Sequence, residues 1–234
     1  PGYAKTNMDR FIKRIVDPSD VLEIGRPERY SQEFVQTIFH HWLLHIDNCN
    51  ENLSAGISDC LSRVVTGAHD SQRQLYTTDK DFVRDLSYHC VIINSTINPI
   101  KRPDLMERCL VFELDTAEEE KRGESEVNQE FIEIVPKLLG SILTILSKAM
   151  WIRQRTKFPI IKHRMVEFIK WGYCISEVIG IGGNNFMDIY TKKSETASWD
   201  VVNENSVAKI LMYMVLDKSL DYEGTMTDLW VKLY

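Results

Sequence analysis

Four kinds of residue occur along this chain in an order that suits hydrolysis of a nucleoside triphosphate. Lys5 and Thr6 open a helix, where a lysine and backbone N–H groups hold phosphates and a hydroxyl ligates Mg²⁺. Asp47 ends an apolar run, where a carboxylate faces the same metal ion. Asn94 ends a second apolar run, from which an amide positions water and senses the γ-phosphate. Arg108, fourteen residues beyond Asn94, offers positive charge to the transition state, often on a neighbouring subunit. Arg102, eight beyond Asn94, is the second candidate for that role. Each residue also has a plainer reading. Asp47 suits a strand-end cap, Asn94 a turn and either arginine an exposed surface, and Arg102-Pro103 suits a helix start. The order of the four carries more weight than any one of them.

Two local motifs sharpen the assignment. Gly2-Tyr3-Ala4-Lys5-Thr6 resembles the end of the Walker A motif, G-x-x-x-x-G-K-[ST]. Gly2, Ala4, Lys5 and Thr6 are therefore the candidate nucleotide-binding residues, with Thr6 and Asp47 on Mg²⁺. Ala4 stands where the motif has its second glycine, and the first glycine and its strand are expected upstream of Pro1. Leu43-Leu44-His45-Ile46-Asp47-Asn48 resembles Walker B. A Glu commonly follows that Asp as base for the attacking water, but here Asn48 follows. An amide takes no proton, so either another carboxylate serves or hydrolysis is slow.

These residues need elements to hold them. Met8, Phe11, Ile12, Ile15 and Val16 lie at helical spacing within residues 5–16, and Asp17-Pro18 stops that helix. A second helix is expected over 27–39 and a third from Ser54 to Val65, closed by Thr66-Gly67. The runs 42–46, 90–93 and 109–114 read as buried strands of a parallel sheet. Residues 73–87 read as a β-hairpin about Thr78-Asp79-Lys80. Beyond Thr116 the pattern is helical: a long amphipathic helix over about 125–155, then about 163–179, 183–193, 205–217 and a new start at Met226. The expected organisation is an α/β core over residues 1–115, a helical unit over 116–200 and the beginning of a third unit over 201–234.

The stretch from Asp47 through Leu114 resembles AAA+-like P-loop ATPases encoded beside primase-polymerases on plasmids, viruses and integrated elements. Its layout is similar to the superfamily-three helicases of small DNA viruses. Ile46-Asp47-Asn48, Ser58 through Arg63, Thr66-Gly67, Arg73 through Thr77, Ile92-Ile93-Asn94 and Arg102 through Arg108 carry the resemblance. It implies ATP and Mg²⁺ as cofactors, a hexameric ring, ATP-driven movement on single-stranded or forked DNA and a winged-helix tail. A primase-polymerase domain or protein is an implied partner. The hairpin gains a role in that light, because in helicases of this layout a hairpin at that place lines the pore. Lys80 at its tip, with Arg73 and Arg84 in its arms, is the implied DNA contact. Tyr222 through Trp230 looks like the start of a winged-helix unit. Because Ala4 and Asn48 depart from the strongest catalytic pattern, a non-hydrolysing assembly scaffold or a DNA-binding adaptor is the competing expectation.

Bulk properties exclude little. With 44% hydrophobic and 26% charged residues the composition is ordinary for a globular protein. A net charge of −6 means that any DNA contact rests on a local basic patch. Five scattered cysteines without a CxxC read as buried thiols in a reducing, cytoplasmic compartment. The apolar stretch 138–152 carries Lys148 and is too short to span a bilayer. His41, His45 and Cys49 read as strand positions before they read as a metal site, and His89-Cys90 as a strand start. Gly180, Gly182 and Gly183 read as a connection between helices, and Trp151 and Trp171 as core residues.

Overall fold

The computed structural model describes residues 3–67, 69–73, 81–85, 88–114, 122–204, 206–216 and 223–233. The first half runs α1 (Tyr3–Val16), β1 (Ile24–Gly25), α2 (Gln32–Phe39), β2 (Leu43–Asp47), α3 (Ala55–Thr66), β3 (His69–Arg73), β4 (Asp81–Asp85), β5 (Cys90–Ile93) and α4 (Pro103–Met106). The second half runs α5 (Glu124–Arg153), α6 (Val166–Val178), α7 (Gly183–Glu204), α8 (Ser206–Leu216) and α9 (Met226–Leu233). The described chain is thus mostly helical, around a small parallel sheet of order β1-β2-β5. β3 and β4 form a separate antiparallel pair.

β2 is central because its residues are apolar on both faces. Leu43, Leu44, His45 and Ile46 are all buried, as a strand covered from both sides requires. It pairs in parallel with β1 (Ile24 opposite Ile46) and with β5 (Leu44 opposite Val91). Val35 and Ile38 of α2 and Ile57, Leu61 and Val64 of α3 close over this sheet, each at most 2% exposed. Burial of each such side chain contributes about 1.5–3 kcal/mol. Ser31 caps α2 by accepting the Phe34 N–H at 3.1 Å. Gly67, at φ 89°, ends α3 in a conformation that only glycine adopts freely.

α1 docks on β2 through polar atoms. Lys13 is 1% exposed. Its Nζ donates to Asp17 Oδ2 at 2.9 Å and to the Leu43 carbonyl at 2.7 Å, and lies 3.3 Å from His41 Nδ1. Such a buried ammonium persists only because its partners satisfy it. On another side of α1, Phe11 stacks on Phe131 of α5 at 4.1 Å, and Arg14 donates to Asn128 Oδ1 at 3.0 Å. The long helix α5 is in this way fixed beside the sheet domain.

In the helical unit α6 and α7 pack closely at Gly172. A Cβ there would lie 2.1 Å from the Phe186 ring. Gly180 and Gly182, at φ 82° and 87°, turn the chain between these two helices. No described helix is long and apolar enough to cross a membrane.

Several expectations need correction. Residues 109–114 are not a strand; Leu110, Val111, Phe112 and Leu114 are 40–74% exposed. Apolar composition favours a strand only where another lies alongside, and no described strand does. α2 begins at Gln32, not near residue 27, because Ser31 is its cap. β1 was not expected at all. The hairpin arms lie at 69–73 and 81–85, so Arg73 ends its arm opposite Asp81 and Arg84 faces Asp70. Trp151 is 61% exposed and so is not core. Cys90 is exposed, whereas Cys49, Cys60 and Cys174 are buried. α7 runs on to Glu204, beyond the residue 193 at which that helix was expected to end.

Candidate functional site

Parallel strands end on one edge, and a cleft outside that edge is where ligands of such sheets bind. Asp47 at the end of β2 and Asn94 just after β5 lie on that edge, and the first turn of α1 reaches it. Thr6 Oγ1 donates to Asp47 Oδ1 at 3.1 Å, and Asn94 Nδ2 donates to Thr6 Oγ1 at 3.1 Å. Lys5 Nζ donates to the Ser95 carbonyl at 3.1 Å. Four residues singled out in the sequence therefore meet at one place. Beside them opens a cleft of about 380 Å³, lined among others by Lys5, Thr6, Asn48, Asn94, Ser95 and Glu124. That volume lies within the range of small-molecule sites.

The loops after β2 and β5 are tied to each other. Asn50 Oδ1 accepts the Thr96 N–H and the Thr96 hydroxyl, both at 2.8 Å. Ser95 Oγ donates to the Cys49 carbonyl at 2.7 Å. Asn48 holds a left-handed backbone, φ 53°, and its amide donates to Asp47 Oδ2 at 3.0 Å. Beneath the edge, His45 is fully buried with Nε2 3.4 Å from Asp9 Oδ2 and 3.9 Å from Asp47 Oδ1.

The donor set fits a hard divalent cation. Thr6 and Asp47 present oxygens 3.1 Å apart. Neighbouring oxygens on Mg²⁺ at 2.0–2.1 Å stand about 2.9 Å from each other. Lys5 and Arg10 bring positive charge to the same cleft. Arg10 is held there by Glu23, accepting at 2.6 Å from its Nε, and by Glu124 at 3.2 Å. The hydrogen bond from Arg10 keeps the Glu23 carboxyl below its usual range, against the opposing effect of burial.

Other sequence candidates lie elsewhere. Neither arginine lines the cleft. Arg108 turns back on its own helix, donating to the Asp104 carbonyl, and its side chain is 9% exposed. Arg102 is 42% exposed and pairs with Asp59 at 2.8 Å. Ala4 lies in the first turn of α1. Gly2 and Lys80 lie outside the described residues. Sequence reasoning did not find Arg10, Asn50, Ser95 or Glu124. The polar clusters directly after each apolar strand, Asn48 to Asn50 and Asn94 to Thr96, were the available signal for two of these.

The cleft thus lies on the carboxyl edge of the parallel sheet. The model of the actinomycete integrative conjugative element replication proteins matches residues 1–185, and the chain belongs to that family. Its role is in replication. No curated protein and no solved structure matches the chain.

Proposed function

We propose that the chain is the ATP-hydrolysing, Mg²⁺-dependent part of a DNA motor, with an AAA+-like P-loop core, a helical unit and the start of a winged-helix tail. The observation that carries this reading is the convergence of Lys5, Thr6 and Asn94 on one cleft, with Asp47 hydrogen-bonded to Thr6. Lys5 holds the β/γ-phosphates, and Thr6 and Asp47 hold Mg²⁺, whose charge offsets that developing on the transferred phosphoryl group. Asn94 orients the attacking water. Asn48 takes no proton, so Glu124, which lines the same cleft, is assigned as the base. Of the two arginines, the exposed Arg102 is the better placed to reach a neighbouring subunit of a ring. DNA passes the hairpin that bears Arg73, Lys80 and Arg84.

The test is phosphate release by the protein carrying Lys5→Ala or Asp47→Ala. Turnover falls by at least about a hundredfold in each, the scale on which electrostatic stabilisers act. Undiminished turnover in both would sink the proposal. One observation favours a second reading. The Asn48 amide occupies Asp47 Oδ2 where other ATPases place a carboxylate, which suits a scaffold that binds nucleotide without cleaving it. DNA-stimulated phosphate release excludes that scaffold.

A further inference from the structure

Between Glu133 and Glu167 the chain has no Asp or Glu, yet Arg153, Arg155, Lys157, Lys162 and Arg164 fall there. In a chain of net charge −6 this is a marked segregation of charge. All five lie at the end of α5 and on the connection to α6. Two of them fix the connection. Arg153 pairs with Glu167 and lies 4.6 Å over the Trp171 ring, and Arg164 pairs with Glu107 at 3.0 Å. Lys157 and Lys162 are exposed, and among the described residues no carboxylate pairs with either.

Aromatic faces accompany the charge. Trp151 is 61% exposed, with the Arg155 guanidinium 4.2 Å from its ring centroid. Trp199 is 53% exposed. Together with Lys162, His163 and Arg164 it lines a cleft of about 400 Å³, on which Glu107 and Glu195 also border. His163 Nδ1 accepts the Met165 N–H at 3.4 Å, and its Nε2 lies 3.0 Å from Ser194 Oγ.

We propose that this end of the helical unit binds single-stranded DNA, with Lys157, Lys162 and Arg155 against the phosphates and Trp199 and Trp151 stacked on bases. Basic side chains that track a backbone beside exposed rings are the means by which single strands are held without sequence readout. A duplex hides the base faces that these rings would cover. The surface shares no residue with the nucleotide cleft, and the proposal does not rest on ATP hydrolysis.

The experiment is a fluorescence-anisotropy titration of labelled oligothymidylate with the protein, without nucleotide and over a range of salt. Lys157→Glu with Lys162→Glu weakens binding at least about tenfold and flattens the log–log salt slope by about 1.4, two phosphates at ~0.7 each. Trp199→Ala weakens it about tenfold, the loss of one stacked base. Circular dichroism and thermal midpoint establish that the variants fold. Where the reversed pair does not fold, Lys157→Gln with Lys162→Gln replaces it and the same flattening is required. Wild-type affinity and slope in the folded lysine variants overturn the proposal. So does a protein that binds vesicles of anionic lipid but not oligothymidylate.

Discussion

Thr6 Oγ1 and Asp47 Oδ1 are joined by a 3.1 Å hydrogen bond, although they come from the first turn of α1 and the end of β2. Two oxygens at that separation need little movement to become neighbours on one cation. Thr6→Val and Asp47→Asn should each weaken Mg²⁺-dependent nucleotide binding by at least about tenfold. Removing Mg²⁺ from the wild type with EDTA should give a similar loss, and EDTA should change the variants little. Isothermal titration with and without EDTA measures both. Equal affinity in all cases would remove the metal from the site.

Glu124 carries the assignment of base. Glu124→Gln should retain nucleotide binding and lower turnover by about 10²–10⁴, the usual contribution of general base catalysis. Binding and phosphate release, measured on the same preparation, check it. A variant with wild-type turnover would return the role to another group.

The arginines should separate by the property they affect. Arg102 is exposed and its ion pairs contribute at most about 1 kcal/mol. Arg102→Ala should therefore leave the melting temperature nearly unchanged while lowering turnover about 10³-fold, as loss of a trans-acting arginine does. Arg108 is buried against Asp104. Arg108→Ala should destabilise the fold by about 1 kcal/mol or more, through lost packing of its buried stem and the lost hydrogen bond to the Asp104 carbonyl. Thermal unfolding and phosphate release together distinguish the two.

How much of this was legible in the residues differs from element to element. β2 was plain, because Leu43 to Ile46 is a short apolar run that ends in a carboxylate. The meeting of Thr6, Asp47 and Asn94 followed from the order of motif-like fragments. β1 was not legible, since two residues carry no period. Residues 109–114 misled because a short apolar run says nothing about whether a partner strand is adjacent. Ser95 enters the site through its carbonyl, and no side-chain pattern encodes a main-chain oxygen. Glu124 reaches the cleft because Phe11 and Phe131 stack, a contact between distant segments.

Acid should loosen the α1–β2 junction in two windows. Burial, then the ammonium of Lys13, lowers the His41 pKa from its ordinary value of 6.5, against the pull of Asp17. A histidine held neutral in the folded state contributes stability above that value, which is lost as pH falls below it. Burial would raise the Asp17 carboxyl, but hydrogen bonds from Lys13 and the Leu43 N–H hold it below its ordinary 3.8. Its contribution is present above 3.8 and is lost as pH falls through its lower folded value. Denaturant midpoints measured from neutral pH downward should fall in both windows, and His41→Gln should remove the upper one. A midpoint that rises between pH 7 and 5 would contradict this.

Gly172 should resist any side chain. A Cβ there meets the Phe186 ring at 2.1 Å, and overpacking of this kind costs about 1–3 kcal/mol. Gly172→Ala should cost less in a Phe186→Leu background, because the two positions share one space. A double-mutant cycle by chemical denaturation gives the coupling. Additive costs would mean that the ring does not lie over α6.

The left-handed turn at Asn48 also bears on how this cleft can change by descent. Asparagine and aspartate enter that conformation more readily than longer side chains, so glutamate there would be strained. Either carboxylate directly after Asp47 gives up the amide's bond to Asp47 Oδ2, and glutamate adds the strain of a left-handed backbone. Main-chain geometry, as much as chemistry, is in this way a filter on which residue can follow Asp47.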